Sequence, residues 1–159
     1  MPISCGCRRI WGSLQSGACG NTNRLSRRAA ASRTLCRVTP LAATPLVVVV
    51  EDDPATLRAL GRVLRAGGFD TATYSSAEAF LDSPPAREPS CLLLDNHLGG
   101  MSGLDLQRDL RSRGSRVPVI VMTAFNDRRV RNEAYRIGCA GCVDKADDFD
   151  VLLKLLRSV

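Results

Sequence analysis

The first fifty residues contain no aspartate or glutamate, although they contain seven arginines. The rest of the chain carries fifteen basic and sixteen acidic residues, so the net charge of +6 originates in the N-terminal segment. A basic surface on the folded part, of the kind that attracts nucleic acid, is therefore not expected. Nonspecific DNA binding through the seven arginines is the weakest hypothesis, because the segment has no recognition motif.

Long apolar runs are also absent. The longest run lies around Leu46–Val50, far short of the roughly 20 residues that a membrane-spanning helix needs. No continuous apolar region follows Arg8 and Arg9, which excludes a secretory signal and a twin-arginine signal. We therefore expect no membrane insertion and a cytoplasmic location.

Residues 1–44 show no sustained hydrophobic period and are rich in glycine, serine, threonine, asparagine and arginine. This composition predicts a disordered basic leader in front of a folded domain at residues 45–159. An organellar transit peptide has a similar arginine-rich, acid-free composition and stays open as an alternative. A third hypothesis is that natural translation starts later, at Val38, through a non-AUG codon.

Four of the seven cysteines lie in the leader, which contains no histidine, and their spacing matches no standard zinc site. Cys139 and Cys142 form a C-x-x-C pair. Redox pairs of this type usually occupy a helix N-terminus, where the helix dipole stabilises a thiolate. This pair follows a predicted helix and enters a strand, so we predict buried, unreactive thiols.

From Leu46 onward, strand and helix patterns alternate five times. The predicted strands are Leu46–Val50, Phe69–Tyr74, Cys91–Asp95, Val117–Met122 and Gly141–Asp144. The first is a run of apolar residues without polar alternation, as in a central parallel strand covered on both faces. Helices begin at capping residues such as Asp53 and Ser76 and end at glycines such as Gly138. The alternation predicts an α/β fold with a doubly wound parallel sheet.

The last helix is predicted to turn Phe149, Leu152, Leu153 and Leu156 toward the sheet.

Polar side chains follow the strands where they end. Glu51 and Asp52 come after the first strand, Asp95 ends the third, Thr123 follows the fourth and Lys145 follows the fifth. The carboxyl ends of parallel strands share one edge of the sheet, and ligands bind there. Converging carboxylates suit Mg²⁺, which prefers oxygen ligands. A hydroxyl and an ammonium add contacts for a phosphoryl group, and Asp95 becomes a candidate nucleophile that forms an acyl phosphate.

Four motifs in order resemble the response-regulator receiver domain of two-component signalling: VVVVEDDP, LLLDNHLGGMSGL, VIVMTAF and VDK. The resemblance covers about Leu46 to Leu156 and implies a flavodoxin-like five-stranded sheet of order 2-1-3-4-5. It implies that Mg²⁺ is bound by the carboxylates of Glu51, Asp52 and Asp95 and by the backbone carbonyl of His97. Asp95 would accept the phosphoryl group, and Thr123 and Lys145 would contact it.

The chain departs from the family pattern at three positions. Ala146 replaces the proline that usually follows the lysine, so we expect a trans peptide bond and a shifted loop. Cys142 replaces an aromatic residue, and Gly99 replaces a common proline. These departures leave a phosphorylation-independent binding module as the alternative function.

An aspartyl-phosphate hydrolase is a further rival, although His97 stands where such enzymes usually have a second aspartate. We expect the His97 side chain to be exposed and not catalytic.

The resemblance implies a phosphoacceptor with at most autodephosphorylation, and not an enzyme acting on a separate substrate. Its phosphoryl donor would be a sensor histidine kinase or a phosphotransfer protein. The sequence ends at Val159, so we expect a stand-alone, single-domain regulator that signals through its fourth helix, fifth strand and fifth helix. The downstream protein is not identified by the sequence, and a homodimer stays open.

Overall fold

The computed structural model describes residues 43–124 and 127–159. The strands are β1 (Leu46–Val50), β2 (Asp70–Tyr74), β3 (Cys91–Asp95), β4 (Val119–Thr123) and β5 (Gly141–Asp144). The helices are α1 (Pro54–Ala66), α2 (Ala77–Asp82), α3 (Gly103–Ser112), α4 (Arg128–Ile137) and α5 (Phe149–Leu156). The predictions made for the leader, including a transit peptide and a later start at Val38, fall almost wholly on residues 1–42, outside the described residues.

The five strands form one parallel sheet of order β2-β1-β3-β4-β5. Every residue of β1, β3 and β4 is buried, which explains why these strands read as continuous apolar runs without alternation. The predicted doubly wound fold and its strand order are confirmed.

Alternate side chains of the central strands enter two separate cores. Val48, Val50, Leu92 and Leu94 share one core with the inner faces of α2, α3 and α4. The intervening residues face the other side, where α1 and α5 cover them; their core partners include Leu60, Leu64, Leu152 and Leu156. This two-sided packing fixes the strand register, because a one-residue slip would exchange the two cores.

Side-chain caps start most of the helices. Asp53 accepts a hydrogen bond from Thr56 N at 2.7 Å, and Ser76 accepts one from Ala79 N at 3.0 Å. Both caps confirm the predicted starts, and Pro54 occupies the first turn of α1. Gly138 ends α4 at φ 87°, a left-handed conformation that favours glycine.

Two predicted strands, β2 and β4, have boundaries that are wrong by one or two residues. Phe69 precedes β2 because its N–H donates to the carbonyl of Leu64, which closes the end of α1. β4 starts at Val119 and includes Thr123, whose carbonyl accepts from Lys145 N at 2.9 Å. Pro118 has no N–H to donate to a neighbouring strand, so β4 begins after it.

Two burial predictions are also corrected. Phe149, the first residue of α5, is 46% exposed and is not part of the core beneath that helix. Cys139 and Cys142 are only half-buried, because β5 is an edge strand and has a neighbour on one side only.

Candidate functional site

Two carboxylates meet at the carboxyl edge of the sheet. Glu51 directly follows β1 and Asp95 ends β3, and these strands are neighbours in which Val50 pairs with Leu94. Both acidic residues are fully buried. Burying two adjacent carboxylates is unfavourable unless positive charge compensates them, so their position calls for a cationic partner.

Lys145 supplies that positive charge. Its Nζ donates to Asp95 Oδ2 at 2.8 Å and lies 2.9 Å from Glu51 Oε2 and 3.2 Å from Glu51 Oε1. The Lys145 side chain is 34% exposed. Among the described residues every peptide bond is trans, as predicted for Lys145–Ala146, and the ammonium nevertheless reaches both acids.

Burial dominates the electrostatics of this cluster. It raises the pKa of Glu51, and the charge of Asp95 adds to that rise, while the hydrogen bond from Lys145 opposes it. For Lys145, desolvation is the largest single influence and lowers the pKa, but the hydrogen bonds to Asp95 and Glu51 together outweigh it. The pKa of Lys145 is therefore raised, and its ammonium stays charged at neutral pH.

A third carboxylate joins the cluster from the exposed side. One side-chain oxygen from each of Glu51, Asp52 and Asp95 lies within 4.8 Å of the others. Asp95 Oδ1 is buried without a hydrogen-bond partner among the described residues, which leaves its lone pairs available. Three oxygen ligands beside solvent suit Mg²⁺, because this ion usually retains several waters. The donor set therefore fits the predicted ion.

Thr123 lies on the same edge, one residue beyond the Asp95–Met122 pair of β3 and β4. Its side chain is fully buried, and its Oγ1 has no hydrogen-bond partner within the described part of the chain. A buried hydroxyl without a partner costs stability. Its position at the site suits a group that contacts a ligand.

The loop after β3 is held from two sides. Glu78 of α2 accepts from Met101 N at 2.8 Å. A Cβ added at Gly103 would lie 2.2 Å from the carbonyl oxygen of Asp95, so only glycine allows α3 to start this close to β3.

The His97 side chain is exposed, as predicted. Ligation of Mg²⁺ by its backbone carbonyl stays a prediction.

The sequence interpretation missed a residue that positions the lysine. Asp144 is buried at the end of β5, and its Oδ1 accepts from Ala146 N at 3.0 Å. The N–H of Asp144 donates to Asp147 Oδ2 at 3.0 Å. These bonds shape the loop that carries Lys145. The signal was the D-x-x-D spacing, since aspartates in turns commonly bond to nearby backbone N–H groups.

The predicted site residues thus lie at one edge of the sheet, and Glu51, Asp52, Asp95 and Lys145 converge there. The cluster can bind a divalent cation and a tetrahedral anion side by side, with a buried carboxylate between them. Within residues 43–124 and 127–159, we find no helix with the length and apolar character needed to cross a membrane.

Comparisons with known proteins agree with this geometry. The sequence model of the family described as "Response regulator receiver domain" matches residues 47–157. The transcriptional regulatory protein FixJ of Azorhizobium caulinodans is 33% identical over 112 residues, which are 70% of this chain and 53% of FixJ. The response regulator protein TodT of Pseudomonas putida is 31% identical over 71% of this chain and 50% of its own length. The chain thus spans about half the length of these curated relatives.

Solved structures lead to the same family. FixJ-N superposes with a TM-score of 0.67 at 28% identity, covering 71% of this chain and 90% of its own. A response regulator receiver protein from Pseudomonas putida gives 0.66 at 27% identity, covering 75% of this chain and all of its own. With the buried acids, the lysine and the sheet order already established, these matches show that the chain belongs to the response regulator receiver domain family of two-component systems.

Proposed function

We propose that Asp95 accepts a phosphoryl group from a phosphohistidine on a sensor histidine kinase or a phosphotransfer protein. A carboxylate oxygen of Asp95 attacks the phosphorus atom, an O–P bond forms and the N–P bond to histidine breaks. The histidine nitrogen leaves with the electron pair of that bond. The product is an acyl phosphate on Asp95, and its hydrolysis returns the carboxylate.

One observation supports this assignment above all others. Asp95 is fully buried at the end of β3, bonded to Lys145 on one oxygen, while its second oxygen has no hydrogen-bond partner among the described residues. Most buried side-chain oxygens in folded proteins have a hydrogen-bond partner, so a buried carboxylate oxygen without one supports a role in binding or reaction. A phosphoacceptor needs a carboxylate oxygen whose lone pairs are not occupied by a protein donor, so that it can attack the incoming phosphorus.

Mg²⁺ would be held by the carboxylates of Glu51, Asp52 and Asp95 together with the carbonyl of His97. When bound, the ion supplies positive charge that offsets the developing negative charge on the phosphoryl oxygens. Lys145, which contacts Asp95 Oδ2, supplies a second positive charge, and the Thr123 hydroxyl offers a hydrogen bond. The phosphoryl group adds about −1.5 to −2 charges at the buried edge. We propose that this charge biases the surface formed by α4, β5 and α5 toward a downstream protein.

A phosphorylation-independent binding module is the second candidate, favoured by Ala146 and Cys142. Against it, the lysine contact that the missing proline put in doubt is present at 2.8 Å. The proposal also includes a stand-alone arrangement and a cytoplasmic location. It includes no enzymatic activity on separate substrates, and it leaves the homodimer open.

Incubation of the full chain with acetyl phosphate and Mg²⁺ tests the assignment. We expect the intact mass to rise by one phosphoryl group, and the phosphate to map to the peptide that contains Asp95. Chelation of the Mg²⁺ should abolish the modification.

Asp95→Asn should remove labelling, whereas Asp82→Asn, an equivalent change at an exposed acid outside the site, should not. Undiminished labelling of Asp95→Asn would reject Asp95 as the acceptor. Absence of labelling in the unmodified chain, from acetyl phosphate and from cognate kinases, would favour the binding module. Turnover of a phosphomonoester would favour the hydrolase.

A further inference from the structure

Cys139 and Cys142 lie together at the start of β5, at the opposite end of that strand from Lys145. Their sulfur atoms are 3.7 Å apart, and both side chains are half-buried. This separation is a van der Waals contact between the sulfurs, whereas a disulfide bond measures about 2.05 Å. The two sulfurs would have to move closer together to form that bond.

The backbone holds this pair in place. Cys139 N donates to the Ala134 carbonyl at 3.0 Å, and Ala140 N donates to the Val119 carbonyl at 2.7 Å. Arg111 of α3 donates to the Gly138 carbonyl at 3.0 Å. The loop between α4 and β5 is therefore fixed by α3, α4 and β4, and the proximity of the two sulfurs belongs to the folded state.

We propose that Cys139 and Cys142 form a reversible disulfide, which makes the loop between α4 and β5 a site of oxidative modification. The oxidant is a low-molecular-weight disulfide such as glutathione disulfide. One cysteine thiolate attacks a glutathione sulfur, forms a mixed disulfide and releases one glutathione. The second thiolate attacks the protein sulfur of the mixed disulfide and releases the other. The two thiols lose two electrons and two protons. Glutathione disulfide takes them up and becomes two molecules of reduced glutathione.

Burial raises the pKa of Cys139 and raises that of Cys142 to about 12, and the positive charges of Arg111 on α3 and Arg131 on α4 oppose these rises. The thiolates are therefore scarce at neutral pH, and exchange is slow. A thiol of high pKa is also a poor leaving group, so reduction of the disulfide by attack on either sulfur is slow as well. We expect a disulfide that forms slowly and persists.

The disulfide would give the surface formed by α4, β5 and α5 a reduced and an oxidised state, whether or not Asp95 is phosphorylated. It would tie the end of α4 to β5 on the α4–β5–α5 surface, while the phosphoryl site lies at the other end of β5. Cys91, the remaining described cysteine, is 1% exposed with a pKa of about 12, so it serves as an internal reference that does not react in the folded chain.

Trypsin digestion offers a direct test, because cleavage after Arg136 and Lys145 places both cysteines in one peptide, residues 137–145. The full chain is equilibrated in buffers of varied glutathione and glutathione disulfide, quenched in acid, alkylated and digested. We expect the doubly alkylated form of this peptide to give way, as the buffer becomes oxidising, to an unalkylated form two hydrogen atoms lighter than the free dithiol, and dithiothreitol to reverse the change. The four leader cysteines lie in other tryptic peptides, so their oxidation is measured separately.

Two controls keep the test decisive. Cys142→Ser should instead give a glutathione adduct on Cys139. The same equilibration in urea should lower the disulfide-to-dithiol ratio of the wild-type peptide several-fold, because the unfolded chain no longer holds the two neighbouring sulfurs in one fixed arrangement. The inference would be overturned if the folded wild type keeps both thiols while leader cysteines oxidise. It would also be overturned by a stable glutathione adduct, by linkage to a leader cysteine, or by an equal ratio in urea. Labelling of Asp95 by acetyl phosphate is measured separately and should proceed in either redox state.

Discussion

Lys145 Nζ lies 2.8 Å from Asp95 Oδ2, although Ala146 stands where a proline would be expected. Proline is therefore not needed to bring this lysine to the acid. In its place, Asp144 and Asp147 bond to the backbone of the loop and set its shape. The loop after β5 thus reaches the geometry of a phosphoacceptor site by means of side-chain hydrogen bonds.

Lys145→Ala should destabilise the fold in Mg²⁺-free buffer, because it leaves Glu51 and Asp95 buried without a cationic partner. Allowing for the 34% exposure of the lysine side chain, we expect a loss of about 1–3 kcal/mol in the free energy of unfolding. Urea denaturation measures it, and added Mg²⁺ should restore part of the loss. Lys154→Ala, on the exposed side of α5, is the matched control and should change little.

Thr123→Val should separate stability from function. Valine matches the shape of threonine but removes a buried hydroxyl that has no hydrogen-bond partner among the described residues. We expect a gain of about 1 kcal/mol in the free energy of unfolding together with slower phosphorylation by acetyl phosphate. Thr123→Ser should preserve the phosphorylation rate better than valine does. A valine variant that is labelled as fast as the wild type would remove Thr123 from the site.

Asp144→Ala should slow phosphorylation by releasing the loop that carries Lys145, since Ala146 N loses its acceptor. Asp144→Asn retains a side-chain oxygen and should lose much less. Initial rates of labelling with acetyl phosphate compare the two variants. Equal rates for Asp144→Ala and the wild type would show that the loop holds Lys145 without this side chain.

Gly103→Ala should push the start of α3 away from the end of β3, because the new Cβ would lie 2.2 Å from the Asp95 carbonyl oxygen. We expect a loss of about 2 kcal/mol or more in the free energy of unfolding and slower labelling of Asp95. Gly99→Ala is the control for stability, since the nearest atom to its added Cβ is Asp52 Oδ2 at 3.9 Å. Similar stabilities for the two variants would contradict the close approach of α3 to β3.

Oxidation of Cys139 and Cys142 should accelerate with pH, because both thiol pKa values are raised and the thiolate is the reactive form. Below these pKa values, the rate should rise roughly tenfold per pH unit between pH 7 and 9. The rate is measured by quenching samples in acid at successive times, alkylating the remaining thiols and quantifying the 137–145 peptide. A rate that is flat across this range would contradict the raised pKa values.

The sequence predicted the central strands closely because β1 and β3 are uninterrupted apolar runs that end at charges. It failed at the start of β2, where Phe69 looks like a strand residue but its N–H closes α1. It also failed for Phe149, because helical periodicity identifies the inner face of a helix but not whether the first residue of that face is covered.

Within the site, Glu51, Asp52, Asp95 and Lys145 could be predicted because the ends of parallel strands share one edge. The positioning roles of Asp144 and Gly103 could not. They depend on contacts between loop backbones, for which residue type alone carries little information. The half-burial of Cys142 likewise depends on β5 lying at the edge of the sheet.

A crystal structure of the full chain with Mg²⁺ and beryllium fluoride tests the central claim most directly. We predict a tetrahedral beryllofluoride group bonded to the carboxylate of Asp95 and contacted by Thr123 and Lys145. One Mg²⁺ should lie beside it, bound by oxygens of Glu51, Asp52 and Asp95 and by the backbone carbonyl of His97. Density for the two groups on any other residues, or none at Asp95 in saturating ligand, would contradict the proposal that these acids form one phosphoryl-accepting site.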